Sequence, residues 1–193
     1  MIKKNNGDEM RIQLMGIALL ITSSLLAGQS GPYIGIDAGK VKGKYNATAT
    51  GYNEKTEISD TAYTFKIGSY LNDSNRVYGF YQHVDPNADN ASFKQYGIGY
   101  DYLIGDNAFK PFIGVLAGRM QTKIDNSLDR LDISGNFIAG QIGVQYALNS
   151  QFSVEAGYRY FDYSSADGRE SVDAVNVEVD TGQNWFAGIN YKF

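Results

Sequence analysis

The chain has 193 residues, a net charge of −4 and no cysteine, with 15 Tyr, 10 Phe and 22 Gly but only 3 Pro. The mild acidity argues against a nucleic-acid partner, and the lack of cysteine excludes disulfide bonds and a lipid anchor attached through Cys. The Tyr and Gly enrichment is typical of β-strands that need aromatic anchors on one face and small residues on the other.

The first thirty residues have the layout of a secretory signal peptide. Arg11 precedes an uncharged apolar run at residues 12–26, and small residues follow at 27–30. A membrane anchor is the alternative, but a helix needs about 20 apolar residues to span a bilayer. We therefore expect residues 1–30 to be a signal peptide cleaved after Ala27 or Ser30, and residues 31–193 to form one domain.

Apolar and polar residues alternate with a period of two in eight later segments, which predicts eight β-strands. They lie near residues 32–42, 61–71, 76–84, 93–104, 110–120, 136–148, 152–163 and 178–193. In the fourth segment, for example, Ile98 and Tyr100 share one face, whereas Gln95 and Asp101 share the other. The third segment is ambiguous because it carries aromatic residues on both faces.

The predicted connections are alternately long and short. The long ones cover residues 43–60, 85–92, 121–135 and 164–176, and the short ones cover 72–75, 105–107 and 149–151. In an up-and-down arrangement, all long loops then fall at one end of the sheet. Outer-membrane barrels have short periplasmic turns and long external loops. The pattern predicts an all-β fold, an eight-stranded antiparallel up-and-down transmembrane β-barrel. The alternative is a secreted soluble β-protein that buries its apolar faces.

The last segment carries apolar side chains at every second position and ends on an aromatic residue. The outward set is predicted to be Trp185, Ala187, Ile189, Tyr191 and Phe193. This ending resembles the barrel-closing strand of outer-membrane proteins. The resemblance implies that the barrel-insertion machinery recognises the strand.

Four motifs together resemble the small eight-stranded outer-membrane β-barrel family, which includes opacity-type proteins, the membrane domain of outer membrane protein A and porin-family β-barrel domains. They are GPYIGIDAG at 31–39, KPFIGVLAG at 110–118, VEAGYRY at 154–160 and YKF at 191–193. No peptidoglycan-binding domain is expected after Phe193. The resemblance implies a monomer in the cell outer membrane of a Gram-negative bacterium. Its expected partners are outer-membrane lipid, lipopolysaccharide and a host or matrix ligand at the external loops.

If the apolar faces meet lipid, the opposite faces place charged residues in the lumen. The predicted lumen charge network consists of Asp37, Lys66, Asp101, Glu155, Arg159 and Lys192, accompanied by the amides Gln95, Gln141, Gln145 and Asn190. An eight-stranded barrel is just wide enough for side chains to fill it, and buried charges must be paired. We expect these residues to plug the lumen. The alternative is a gated pore for ions or small solutes.

The sequence predicts no catalytic, metal-binding or cofactor-binding residues. The single histidine, His83, lies near the predicted external rim, with Asp85 close in sequence but no serine in a nucleophile-like context beside it. We therefore predict a non-enzymatic protein with an envelope-structural or surface-interaction (adhesion-like) role. A small channel is the alternative, and an outer-membrane lipid-modifying enzyme that uses His83 is less favoured.

Overall fold

Eight antiparallel strands close into a barrel in which each strand pairs with its neighbours along the chain and the last pairs with the first. The computed structural model describes residues 30–49, 52–85, 91–125, 130–165 and 176–193. The strands are β1 (Gly31–Ala49), β2 (Tyr52–Asn72), β3 (Asn75–Asp85), β4 (Ala91–Leu103), β5 (Phe109–Asp125), β6 (Arg130–Ala147), β7 (Phe152–Ser165) and β8 (Asn176–Lys192). The predicted all-β, eight-stranded up-and-down barrel is confirmed.

Within these ranges, no helix is long and apolar enough to cross a membrane. The predicted signal peptide, residues 1–30, lies outside the described residues except for Ser30. Both it and the boundary of the mature domain stay predictions.

The strands extend further on the long-loop side than the sequence predicts. Most of the predicted loop 43–60 is a continuous hairpin, in which Gly43 pairs with Ile58 and Ala49 with Tyr52. The same correction applies to 121–135, where Asp125 pairs with Arg130. Period-two alternation fades there because neither face needs to be uniformly apolar, whereas the backbone ladder continues regardless of side-chain polarity. The remaining loop residues, 50–51, 86–90, 126–129 and 166–175, lie outside the described residues.

The other end of the barrel has the predicted short turns. Asn72 accepts hydrogen bonds through Oδ1 from the Ser74 amide at 2.9 Å and from Asn75 Nδ2 at 2.7 Å. Asn149 does the same for the amides of Gln151 and Phe152, at 2.9 and 2.8 Å. Gly105, in the β4–β5 turn, has φ = 92°, a conformation that favours glycine. Side-chain oxygens and one glycine thus fix the turns in the way their composition predicts.

The apolar faces of the strands point outward. Ile98, Ile138 and Ile142 are 66, 68 and 59% exposed, and the residues on either side of each point inward. The structure also shows which side chains of the ambiguous third segment face the lumen. Arg76, Tyr78, Phe80 and Gln82 point inward and are buried, while Tyr81 points outward.

The lumen is filled in two layers. The layer nearer the long loops is apolar, with Phe137 at its centre, 5.5 Å from the Phe161 ring and 6.2 Å from the Phe80 ring. Phe93, Leu116, Met120 and Tyr163 complete this layer. The charged layer lies between it and the short turns.

Candidate functional site

Six buried charged residues from five strands meet in the charged layer of the lumen. Three are cationic and three anionic, and none is more than 4% exposed. They are Asp37 on β1, Lys66 on β2, Arg76 on β3, Asp101 on β4, and Glu155 and Arg159 on β7. We call these six residues the lumen cluster. Its formal charges balance, which is the condition for holding so many ionised groups away from water.

Half of the lumen cluster is organised around Asp37. Arg159 binds this carboxylate with both terminal nitrogens, at 2.8 Å to Oδ2 and 3.2 Å to Oδ1. Lys66 Nζ lies 3.2 Å from Asp37 Oδ2 and also donates to Glu155 Oε1. Lys66 therefore bridges two carboxylates that approach from different strands.

Arg76 joins the remaining carboxylates. Its Nε lies 2.7 Å from Asp101 Oδ2, and its Nη1 lies 2.8 Å from Glu155 Oε2. Cations and anions consequently alternate through the cluster in the order Arg159, Asp37, Lys66, Glu155, Arg76, Asp101. This alternation places no two like charges in succession along the chain of contacts.

The amide side chain of Gln141 closes this chain of contacts into a ring. Gln141 accepts a hydrogen bond from Arg159 Nε at 2.8 Å and donates through Nε2 to Asp101 Oδ1 and, at 2.8 Å, to the Tyr78 hydroxyl. Asn190 Nδ2 donates to Glu155 Oε2 at 2.9 Å. The hydrogen-bonded ring crosses the lumen from β1 to β7.

Aromatic rings and one glycine complete the packing. The Arg159 guanidinium lies 3.8 Å from the Phe186 ring centroid, and that of Arg76 lies 5.0 Å from the Phe112 ring centroid. Gly114 faces Asp101 so closely that a Cβ atom there would overlap the carboxylate. The guanidinium faces are thus covered by rings while their edges donate hydrogen bonds, as a dry site requires.

Five of the six predicted lumen charges meet in this cluster, and the structure gives their pairings. Asp37 pairs with Arg159, whereas Glu155 pairs with Lys66 and Arg76. Lys192 lies at the turn-side rim, half-buried, with its ammonium 5.8 Å from the Tyr70 ring centroid. It is the last residue of β8, which places it beyond the level of the cluster.

Arg76 is the functional residue that the sequence reasoning missed. Aromatic residues on both faces hid the phase of its strand. The signal was present in the spacing of Arg76 and Gln82, two strongly polar side chains separated by an even number of positions and therefore on one face. The predicted inward amides Gln95, Gln141, Gln145 and Asn190 are all buried.

The terminal strand exposes most of its predicted outward residues, and His83 lies on the outer face of β3. Trp185, Ile189 and Phe193 are exposed, and the half-buried Tyr191 ring lies 5.0 Å from those of Phe152 and Phe193. His83 is partly exposed on the outer face, opposite Tyr63 and Lys94, and does not point into the lumen.

A vestibule of about 280 Å³ opens on the turn side of the lumen. Tyr70, Gln145, Ser153, Asn190 and Lys192 are among the residues that line it. Gln145 donates to Ser153 Oγ at 2.8 Å and to the Tyr70 hydroxyl at 2.9 Å. Asn190 belongs both to the vestibule and to the hydrogen bonds of the lumen cluster, so the vestibule ends at the cluster. No grouping of His, Asp or Glu side chains suited to a metal ion occurs in the described part of the chain.

Comparisons with known proteins agree with this geometry. A family model described as outer membrane protein β-barrel domain matches residues 14–193. Neisserial surface protein A is 20% identical with a TM-score of 0.63, over 86% of this chain and 100% of that chain. The N-terminal β-barrel domain of Pseudomonas aeruginosa OprF is 13% identical with a TM-score of 0.57, over 85% of this chain and 99% of its own.

A third solved barrel, outer membrane protein H of Pseudomonas aeruginosa, is 19% identical with a TM-score of 0.54, over 84% of this chain and 99% of that chain. Among curated proteins, none matches the sequence. At these identities the structural likeness shows the fold alone.

Proposed function

Since the chain belongs to the outer membrane protein β-barrel domain family, we propose that it is a non-enzymatic barrel that acts through its external surface, in an envelope-structural or surface-interaction role. The protein lies in the outer membrane of a Gram-negative bacterium, with its apolar outer face in contact with lipid. A secreted soluble β-protein, the alternative left open by the sequence, is thereby excluded.

The observation that carries the proposal is the packing of the lumen. The ring of the lumen cluster crosses the lumen at one level, and the buried aromatic layer around Phe137 lies at the next level toward the loops. Removal of one partner from a buried, hydrogen-bonded ion pair costs several kcal/mol of stability. A lumen closed in this way supports a function located on the outside of the barrel.

The long strands on the loop side support the same conclusion. β1 has 19 residues and β2 has 21, whereas about 9–11 residues suffice for a strand to span the membrane. The β1–β2 hairpin therefore has enough length to project well beyond the bilayer on the side of the long loops. A projecting hairpin is a suitable platform for contact with a host, matrix or cell-surface ligand.

Single-channel recording from purified, refolded protein in planar bilayers tests whether the lumen is obstructed. We expect no steady, resolved conductance from the wild type. Resolved openings of uniform size from pure protein would favour the alternative, a small channel that begins at the turn-side vestibule.

Whole-cell retention on extracellular-matrix-coated surfaces tests the surface-interaction role. Cells that display the wild-type barrel are compared with cells that display a variant in which residues 46–55 are replaced by a two-residue turn. Reduced retention of the variant at equal surface abundance supports the proposal. If cells with the wild type, cells with the variant and cells without the protein were retained equally, the role would be restricted to envelope structure.

The enzyme alternative has a direct test as well. His83 faces outward, and its neighbours in the strand, Gln82 and Val84, face the lumen. We expect the lipid A and phospholipid composition of cells to be the same with the wild type and with His83→Ala. A lipid modification that depends on His83 would contradict the proposed absence of catalysis.

A further inference from the structure

The turn-side vestibule contains two buried hydroxyl groups, those of Tyr70 and Ser153. Tyr70 is 8% exposed and Ser153 is 7% exposed, and both residues line the vestibule. Gln145 of β6 joins them, because its Nε2 donates to the Tyr70 hydroxyl at 2.9 Å and to Ser153 Oγ at 2.8 Å. The two hydroxyl oxygens are bonded to one nitrogen and therefore lie close together.

The hydrogen bonds from Gln145 leave both hydroxyl groups able to donate. The amide nitrogen can only donate, so each hydroxyl oxygen acts as the acceptor in these two bonds. Each hydroxyl keeps its own proton, and neither donates it to an acceptor in the described part of the chain. Both protons are thus available to a group that enters the vestibule.

Lys192 adds a positive charge beside these two donors. Its ammonium lies 5.8 Å from the centroid of the Tyr70 ring, and the side chain lines the vestibule. The lumen cluster is neutral by itself, so Lys192 gives the turn-side end of the lumen an additional positive charge. An ammonium group has three N–H bonds and can donate to an incoming anion while it keeps another partner.

The other charged residues that line the vestibule lie near the short turns. Lys110 Nζ donates to the backbone carbonyl of Asp73 at 3.0 Å, and the side chains of Asp73 and Asp106 are exposed. Salt in the surrounding water screens exposed charges much more than it screens buried or partly buried ones. The buried end of the vestibule therefore sets its charge preference, and that end favours an anion.

Two hydroxyl donors and one ammonium suit a carboxylate. A carboxylate only accepts hydrogen bonds, and its bonds with hydroxyl or ammonium donors are charge-assisted and strong. One additional positive charge matches a monoanion. The vestibule volume of about 280 Å³ lies just below the range of about 300–1,000 Å³ that is typical of small-molecule sites. A small organic acid or the end of a short peptide fits this space.

We propose that the turn-side vestibule binds the carboxylate of a small organic anion, which accepts hydrogen bonds from Tyr70, Ser153 and Lys192. The short turns form the periplasmic end of an outer-membrane barrel, so the ligand enters from the periplasm. The site does not depend on the surface-interaction role of the external loops. Each proposal can therefore fail without the other.

NMR titration of the isotope-labelled protein, refolded in micelles of a zwitterionic detergent, tests the site. The probe N-acetylglycine represents a peptide end, propionate represents a free organic acid, and N-acetylglycinamide is the neutral analogue of the first probe. We expect saturable shifts of the backbone amides of Ser153, Asn190 and Lys192 with a carboxylate probe and no such shifts with N-acetylglycinamide. The carboxylate that binds more tightly identifies the source of the ligand.

Two variants remove the proposed contacts. Tyr70→Phe/Ser153→Ala removes both hydroxyl groups with little change in side-chain volume, and Lys192→Gln removes the positive charge. We expect each variant to bind the carboxylate about tenfold or more weakly than the wild type, because charge-assisted hydrogen bonds are lost. Lys192 is only half-buried, so Lys192→Gln still tests the site if the double variant does not fold.

Lys42→Gln is the matched control for Lys192→Gln. Lys42 is an exposed cation on the outer face of β1, toward the long loops and away from the vestibule. We expect its affinity for the carboxylate to equal that of the wild type. Heat-modifiable gel mobility confirms that each variant is folded before the titration.

Four results would overturn the proposal. The first is the absence of saturable shifts with both carboxylates, and the second is an equal affinity for N-acetylglycinamide. The third is an unchanged affinity in either folded variant of the vestibule. The fourth is an equal loss of affinity in Lys42→Gln, which would indicate general charge attraction.

Discussion

Arg159 and Arg76 are both buried guanidinium groups, but they hold different numbers of carboxylates. Arg159 forks onto Asp37 alone, and Asp37 keeps a second partner in Lys66. Arg76 bridges Asp101 and Glu155. Loss of either arginine leaves a buried carboxylate whose charge is incompletely compensated. This lowers the free energy of unfolding by more than the intact ion pair contributes to it.

Arg159→Ala is expected to lower the free energy of unfolding by about 3–5 kcal/mol, because Asp37 and Gln141 both lose their guanidinium partner. The urea midpoint of the barrel refolded in detergent, followed by heat-modifiable gel mobility, measures the change. Lys42→Ala, at an exposed outward position, serves as the control. A midpoint of Arg159→Ala that equals the wild-type value would show that the ring does not stabilise the barrel.

Arg76→Ala is expected to lower the free energy of unfolding at least as much as Arg159→Ala. Two carboxylates lose a partner in Arg76→Ala, although Glu155 keeps Lys66 and Asn190 and Asp101 keeps Gln141. The comparison requires both urea midpoints in the same detergent. If Arg76→Ala were clearly the milder change, the bridging role of Arg76 would be contradicted.

At the scale of the elements, the side-chain pattern of the strands within the membrane differs from their pattern on the loop side. Within the membrane, successive side chains of each strand point in turn to the lipid and to the packed lumen. On the loop side, β1 and β2 stay paired up to Ala49 and Tyr52. There the pairing rests on backbone hydrogen bonds, which do not require alternation.

Ile142→Lys tests the lipid-facing direction of β6. Ile142 is 59% exposed near the middle of the outward row of that strand, so a lysine there is expected to cost about 2–4 kcal/mol of unfolding free energy. Asn136→Lys, on the same face but near the long-loop end, is expected to cost about 0–1 kcal/mol. Equal urea midpoints for the two variants in lipid bilayers would argue against this orientation.

The β4–β5 turn depends on Gly105. Its φ of 92° lies in a region that costs other residues about 1–2 kcal/mol, so Gly105→Ala is expected to lower the free energy of unfolding by that amount. Asp106→Ala, at the next and exposed position, is expected to stay within about 0.5 kcal/mol of the wild type. Refolded protein and urea titration give both values, and a neutral Gly105→Ala would exclude strain at this turn.

At the scale of the whole molecule, the lumen of the barrel holds a charged layer and an apolar layer, and the outer wall is apolar. Tyr100, Ile113 and Ile189 are among the large apolar or aromatic side chains left exposed on the outer wall. Soluble monomers rarely expose contiguous apolar patches larger than a few hundred Å². The bilayer is therefore part of the environment that this fold requires.

The mature barrel is expected to fold only in the presence of detergent micelles or lipid. In that state it should migrate differently in gels before and after boiling, because the closed sheet resists unfolding at room temperature. Refolding in aqueous buffer alone is the comparison. A stable, monomeric, β-structured species in that buffer would contradict the orientation of every strand.

The sequence by itself determined the number of strands, the alternation of long and short connections, and the directions of β4, β6, β7 and β8. These features are local, because a period of two and a turn composition are readable within one segment. On this basis the sequence predicts Asp37, Lys66, Asp101, Glu155, Arg159 and Lys192 on the lumen face, without their pairings. The family resemblance rests on the same local patterns.

Only the tertiary structure decided which charges meet. Lys66 on β2 contacts Glu155 on β7, and Arg76 on β3 reaches the same carboxylate, although none of these strands is adjacent to β7 in the sheet. Contacts across a lumen depend on how the strands tilt and stagger when the barrel closes, and no single strand carries that information. For the same reason Arg76 is in the ring and Lys192 is at the rim.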